Sequence, residues 1–188
     1  TAATGTPASG PIKTGAPVID YATGTMGAFA VSAALYQTLR TGKGQYIDMS
    51  MLDVALILQS SHITDYYHTG KHHKRAGNRM RFAENSMHEA ADGLLQIAAS
   101  NPRQHRRFYT AIGEPAEAKR TSLDERYTRY DEKFALVAGK IRQKTADEWE
   151  NYLQGRHVPA TRVRELPEAL ADPQLKHRAV LHRHENVP

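Results

Sequence analysis

The residue best placed to do chemistry is Asp20, which stands between the apolar Pro17-Val18-Ile19 and a run of small residues opened by Thr23-Gly24-Thr25. A carboxylate at a helix start faces free backbone N–H groups and a partial positive charge, which favour negative charge there. A nearby glycine lets a ligand approach the backbone. An ionised carboxylate in such a place can act as a nucleophile. On local sequence alone the first reading of Asp20 is a plain helix N-cap, whose replacement by Ala would cost about 0.5–2 kcal/mol.

Other residue types offer less. His68 and His72 are four apart, with His73 beside them, so they could share a helix face as metal ligands. No carboxylate joins them and their neighbours are cationic, so they read as solvated loop histidines and no metal site is expected. His88, His105, His157, His177, His182 and His184 show no spacing that specifies a ligand set, and no Ser/His/Asp arrangement can be assigned. The chain has no cysteine, which excludes disulfides and thiolate zinc sites.

The net charge of +5 has a location. Lys71, Lys74, Arg75, Arg79 and Arg81 fall between Tyr66 and Phe82, a stretch without Asp or Glu. Such a patch is either a solvated loop or a contact for the phosphate of a nucleotide or coenzyme. Nucleic acid is not expected as a partner, because no interleaved aromatic platform or nucleic-acid motif accompanies the charge. The longest apolar run, Met26 to Tyr36, falls well short of the roughly 20 residues a membrane span needs, so no membrane partner is expected. Thr1 to Pro17 lacks the basic and leucine-rich regions of a secretory signal, which leaves the cytoplasm as the default location.

The elements that must position Asp20 follow from periodicity. From about Thr23 to Arg40 there is no proline and almost no polar face before Gln37, the pattern of a helix buried on both sides, and Gly42 and Gly44 stop it. From Gln45 to Met51, Ile47, Met49 and Met51 alternate with Tyr46, Asp48 and Ser50, which predicts a strand. Asp53 can cap a second helix running to about Tyr67. After the basic stretch, Asp92-Gly93 signals a turn into a strand over Leu94 to Ala98. Asn101-Pro102 starts a helix ended by Gly113, and Thr145-x-x-Glu148 is a capping box for a helix ending at Gly155. Val158 to Val163 reads as a strand. Leu166 to Leu170 reads as a short helix closed by Asp172-Pro173. Helices alternating with strands indicate α/β architecture.

The stretch Gly15-Ala-Pro-Val-Ile-Asp20-Tyr-Ala-Thr-Gly24, followed by Ala33-Ala-Leu35, Arg40-Thr-Gly-Lys-Gly-Gln45 and Ile47-Asp-Met-Ser-Met51-Leu-Asp53, resembles the central block of class III coenzyme A transferases, the CaiB/BaiF type, in residue and in spacing. Weaker similarity continues through Ala91-Asp-Gly93, the helix ending at Gly113, and Val158-Pro-Ala160 to Asp172-Pro173. The resemblance implies that Asp20 is the nucleophile that attacks an acyl-CoA thioester to give a mixed anhydride. The released CoA thiolate then converts this into an aspartyl-CoA thioester, which the acceptor carboxylate opens. It also implies that Met51 lies beside coenzyme A, although Met51 reads equally as a core methionine on a buried strand face. The sequence departs from the family where a glycine-rich loop is usual, offering only Gly77 in Arg75-Ala-Gly-Asn-Arg79. The family's N-terminal part, which supplies most of the nucleotide pocket, and its returning C-terminal segment have no counterpart here.

The expected organisation is therefore part of a large Rossmann-like domain, helix-strand-helix, over residues 1–67, and a basic connector over 68–79. A smaller α/β domain over 80–172 and the start of a return linker over 173–188 complete it. The expected function is transfer of coenzyme A between an acyl-CoA and a small carboxylic acid, in a protein whose full-length form is an interlocked homodimer. Two alternatives stand: an acyl-CoA racemase of the same superfamily, using an upstream histidine outside this chain, or a non-catalytic fragment when expressed alone.

Overall fold

The structure, a computed structural model, describes residues 3–182. The chain divides into two compact units, Thr1–Gly77 and Asn78–Pro188.

The first unit opens with a small antiparallel hairpin of β1, Gly5–Thr6, and β2, Gly10–Pro11. It is followed by α1, Val18–Thr41, which ends where Gly42 turns left-handed at φ 69° and its N–H donates to the Thr38 carbonyl. Few of the side-chain polar groups of α1 reach outward, because Thr23, Thr25 and Ser32 donate back to the carbonyls of Ile19, Tyr21 and Ala28. A stripe of Thr23, Gly27, Ala30, Ala34 and Thr38, at helical spacing, is the sheltered side of the helix. There α1 packs on α2, Met51–Leu58, and the unit's two buried apolar side chains among the described residues are Ala34 of the stripe and Val54 of α2. The rest of α1 is open: Phe29 is 70% and Leu39 86% exposed. The expectation that this helix is buried on both sides is therefore not met within the chain, although its sequence is that of a helix made for burial. By length and composition alone α1 also passes as a membrane-crossing helix, a test that core helices of water-soluble proteins pass too.

The helix begins five residues earlier than its small-residue run suggests. Pro17 takes the N-cap position, and the β-branched Val18 and Ile19 enter the first turn instead of leading up to it. The predicted helix-strand-helix is corrected as well. Residues 43–50 carry no strand pairing, and Met51 already belongs to α2. The alternation persists, with Ile47 and Met49 half-buried and Tyr46 and Asp48 exposed. A strand, however, needs a ladder of backbone hydrogen bonds, and no described residue supplies one. After α2 the chain breaks at Gln59 and continues as α3, Ser60–Thr69, closed by a left-handed Gly70. Beyond Gly70 the chain returns to the hairpin. The Gly77 N–H donates to the Gly5 carbonyl at 2.8 Å, and a Cβ on Gly77, whose φ is +59°, would meet Thr6 Cγ2 at 2.7 Å. Gly77 thus serves a close chain crossing.

The second unit has a conventional core. Its sheet orders β3, Met87–Glu89, β4, Leu94–Ile97, and β5, Ala160–Arg162, all antiparallel, with β4 in the centre. Leu95 and Ile97 point to one face and are fully buried. Against that face pack Phe108 and Tyr109 of α4, Pro102–Ala111, Val137 and Ile141 of α7, Tyr130–Ile141, and Trp149 and Leu153 of α8, Ala146–Gln154. The caps read from sequence form as expected. Asn101 with Gln104, and Thr145 with Glu148, are reciprocal capping boxes, and Pro102 is the first helical residue of α4. Between them lie three helices the sequence did not reveal, the short α5, Pro115–Ala118, and α6, Leu123–Tyr127, and the longer α7. Beyond α9, Leu166–Leu170, the pair Asp172-Pro173 does not merely close a helix. Asp172 caps and Pro173 opens α10, Pro173–Arg178, so the expected linker starts helical. The mixture of helices and sheet is that of the α/β class.

Candidate active site

Asp20 is the third residue of α1, not its cap. Pro17 holds the cap position, without a side-chain hydrogen bond. The Asp20 side chain is exposed and has no hydrogen-bonding or ion-pair partner among the described residues. It is a carboxylate free in the first turn of a 24-residue helix, where the unpaired N–H groups of the helix start favour negative charge. The N-cap reading of Asp20, and the capping cost attached to it, are set aside by this geometry.

Met51 is the first residue of α2, half exposed, rather than a core side chain on a strand face. Its helix is capped by Ser50, whose hydroxyl accepts from the N–H groups of Leu52 and Asp53, so Asp53 is not the cap expected of it. Asp20 and Met51 lie on helices that pack against one another. Residues 43–50 can span about 26 Å when extended, against about 36 Å for α1, so they can carry the chain back along most of that helix before α2 begins.

The histidines settle into other roles. Among the described residues no group of three or more potential ligands could hold a metal. His157, His177 and His182 are exposed, and His184 lies outside the described residues.

What sequence reasoning missed is a charged cluster inside the second unit. Glu84, His105 and Arg126 are at most 2% exposed. The Arg126 guanidinium donates to Glu84 Oε1 at 3.0 Å and to the carbonyls of Ala99 and Ser100, and lies 3.7 Å over the Phe82 ring. His105 Nδ1 is 2.7 Å from Glu84 Oε1 and its Nε2 is 2.9 Å from the Glu117 carbonyl, so both ring nitrogens face acceptors. Tyr109 donates to Glu84 Oε2, and burial first, then the nearby carboxylates, push its hydroxyl pKa far up. The only sequence signal was His105 lying three, four and seven residues before Phe108, Tyr109 and Ile112, on the apolar face of α4.

Burial works to raise the Glu84 pKa, but the His105 hydrogen bond, the backbone, and the charges of His105 and Arg126 outweigh it. They hold the carboxyl below its ordinary 4.5. For a depressed carboxyl the linked stability is present above the ordinary value and is lost as pH falls through the lower native one. Trp149, the only tryptophan, is buried in this core and reports the effect. Its urea midpoint should fall on acidification from about pH 5 to about pH 3, and Glu84→Gln should flatten that dependence.

Known proteins share both the sequence and the fold of this chain. The model of "CoA-transferase family III" matches residues 1–188. The chain is 32% identical over 186 residues to a succinate–glutarate CoA-transferase of Agrobacterium fabrum, covering 94% of this chain and 45% of that protein. It is 29% identical over 177 residues to a succinyl-CoA–D-citramalate CoA-transferase of Chloroflexus aurantiacus, covering 92% and 44%. A solved CaiB/BaiF family protein from Brucella suis superposes with a TM-score of 0.71 at 30% identity, covering 94% of this chain and 48% of that one. The chain thus spans about half the length of the relatives it matches.

Proposed function

The chain belongs to CoA-transferase family III, and from that membership we propose that the protein it forms part of moves coenzyme A between an acyl-CoA and a small carboxylic acid, with Asp20 as the covalent nucleophile. The observation that carries this reading is the exposed, unpartnered Asp20 carboxylate in the first turn of α1. In the first step a carboxylate oxygen attacks the thioester carbonyl, the C–S bond breaks, and CoA leaves as thiolate from an acyl-aspartyl anhydride. The thiolate then attacks the aspartyl carbonyl, releasing the donor acid and leaving an aspartyl-CoA thioester. The acceptor carboxylate opens that thioester to a second anhydride. Thiolate attack on the acceptor carbonyl then regenerates Asp20 and releases the new acyl-CoA. Each half is an acyl transfer made easier by division into steps. Met51, half exposed beside the helix start of α2, is the proposed contact for coenzyme A. The reading is tested by whether turnover needs a carboxylate at position 20 and whether that carboxylate carries an adduct.

The isolated chain is not proposed to turn over. Among its described residues the first unit buries only Ala34 and Val54 of its apolar side chains, too little to hold a site rigid. The whole protein is proposed to be a homodimer with two chains threaded through each other, a reading supported by the open apolar surface of α1. Sedimentation should give a dimer across the working concentration range. A stable, active monomer would contradict it.

A further inference from the structure

The basic connector is held to α3 by its histidines. The His73 ring stacks on His62 with centroids 3.8 Å apart and planes inclined by 22°, and the next ring along, His72, stacks on Tyr66 at 5.1 Å. The far end of the connector is fastened separately, by the Gly77 hydrogen bond to Gly5 and by Arg75 Nε donating to the Thr6 carbonyl at 3.4 Å. We propose that the His62–His73 stack is an acid-sensitive clasp that holds residues 71–74 on α3 while at most one of the two rings is charged, and lets them go when both are.

The chemistry comes from the groups around the pair. Two imidazolium rings face to face at this distance repel, whereas a neutral ring accepts a neighbour of either kind. From α3 the other titratable groups are Asp65, Tyr66, Tyr67 and His68; from the connector they are Lys71, His72, Lys74 and Arg75. The hairpin segment Gly5 to Pro11 contributes none, and Gln59, whose Oε1 is 2.9 Å from His62 Nδ1, is neutral. Asp65 is the single carboxylate set against this local excess of positive charge. The pKa of His73 is lowered accordingly, by burial first and by His62 second, with Asp65 opposing. A lowered histidine means the held state prefers the neutral ring. The clasp is therefore complete above the ordinary value of 6.5 and is lost as pH falls below it.

The consequence lies within the first unit: releasing residues 71–74 turns a pinned strap into free chain held at Gly70 and Arg75. None of this depends on the transferase reading.

Proton NMR of the intact protein tests the clasp through the contact between the His62 and His73 rings. Cross-relaxation between their ring protons should be present at about pH 7.5 and lost at about pH 5, while the methyl signals of the buried Val54 in the same unit keep their shifts. His73→Phe retains a stackable ring that cannot charge, so its contact with His62 should persist at both pH values. The proposal is overturned if the wild-type contact survives at about pH 5. It is also overturned if His73→Phe loses the contact as the wild type does, or if the Val54 signals shift with it and so report unfolding of the unit.

Discussion

Asp20→Asn should abolish CoA transfer while leaving folding almost untouched, with a change in stability below about 1 kcal/mol. The two effects separate because the Asp20 side chain makes no hydrogen bond or ion pair with the described residues. Asn keeps the size of the side chain and removes the anion. The cost is limited to a small helix-dipole contribution, about 0.3–1 kcal/mol for an exposed charge at a helix start. Asp20→Ala, which would be an ambiguous control for a capping residue, becomes a clean one here, since Pro17 occupies the cap. Both variants should show wild-type unfolding midpoints by far-ultraviolet circular dichroism, which reads the helices of both units, and no turnover. Normal turnover by Asp20→Asn would return the residue to the helix as an ordinary first-turn acid.

Arg126→Met should be the most destabilising single change in the second unit, by about 3–5 kcal/mol. The reason is the asymmetry of buried charge. Arg126 brings its own charge into the core, but it also answers the Glu84 carboxylate and the carbonyls of Ala99 and Ser100 at the end of β4. Removing it leaves the Ala99 carbonyl buried without that donor and Glu84 dependent on His105 and Tyr109. Methionine fills part of the volume against Phe82, so the loss reads the charge more than a cavity. The urea midpoint of Trp149 emission measures it. Replacing Glu84 by Leu in the same chain should recover a part of the loss, because the uncompensated carboxylate is then gone. If Arg126→Met alone costs no more than a surface substitution, the cluster does not hold the unit together.

How much of this was legible depended on whether the signal was local. Caps are local: Asn101 before Pro102, and Thr145 with Glu148, could be read from near neighbours and both formed, whereas the cap expected of Asp53 fell to Ser50. The turn at Asp92-Gly93 and the short strand after it are likewise set by neighbouring residues. Pairing is not local. The alternation of Ile47 and Met49 with Tyr46 and Asp48 survives as a burial pattern, but whether it becomes a strand is decided by a partner that no described residue provides. α1 makes the same point about packing, since its sequence announces burial while only a stripe of small residues finds a neighbour. The Glu84 cluster was hidden because its members stand 21 and 42 residues apart, and charges at such spacing carry no periodicity. Asp20 was found through resemblance to a family. Its local pattern alone pointed first to a cap, and the structure corrected that detail.

The most direct measurement of the central claim is mass spectrometry of the intact enzyme mixed with acyl-CoA, without acceptor acid, and quenched within a turnover. The account predicts an acyl or CoA adduct on the peptide containing Asp20, released by hydroxylamine because anhydrides and thioesters both yield to that amine, and absent from Asp20→Asn. An active enzyme that never carries an adduct on that peptide, and that instead exchanges the α-proton of a 2-methylacyl-CoA with solvent, would contradict it and assign the site to racemisation.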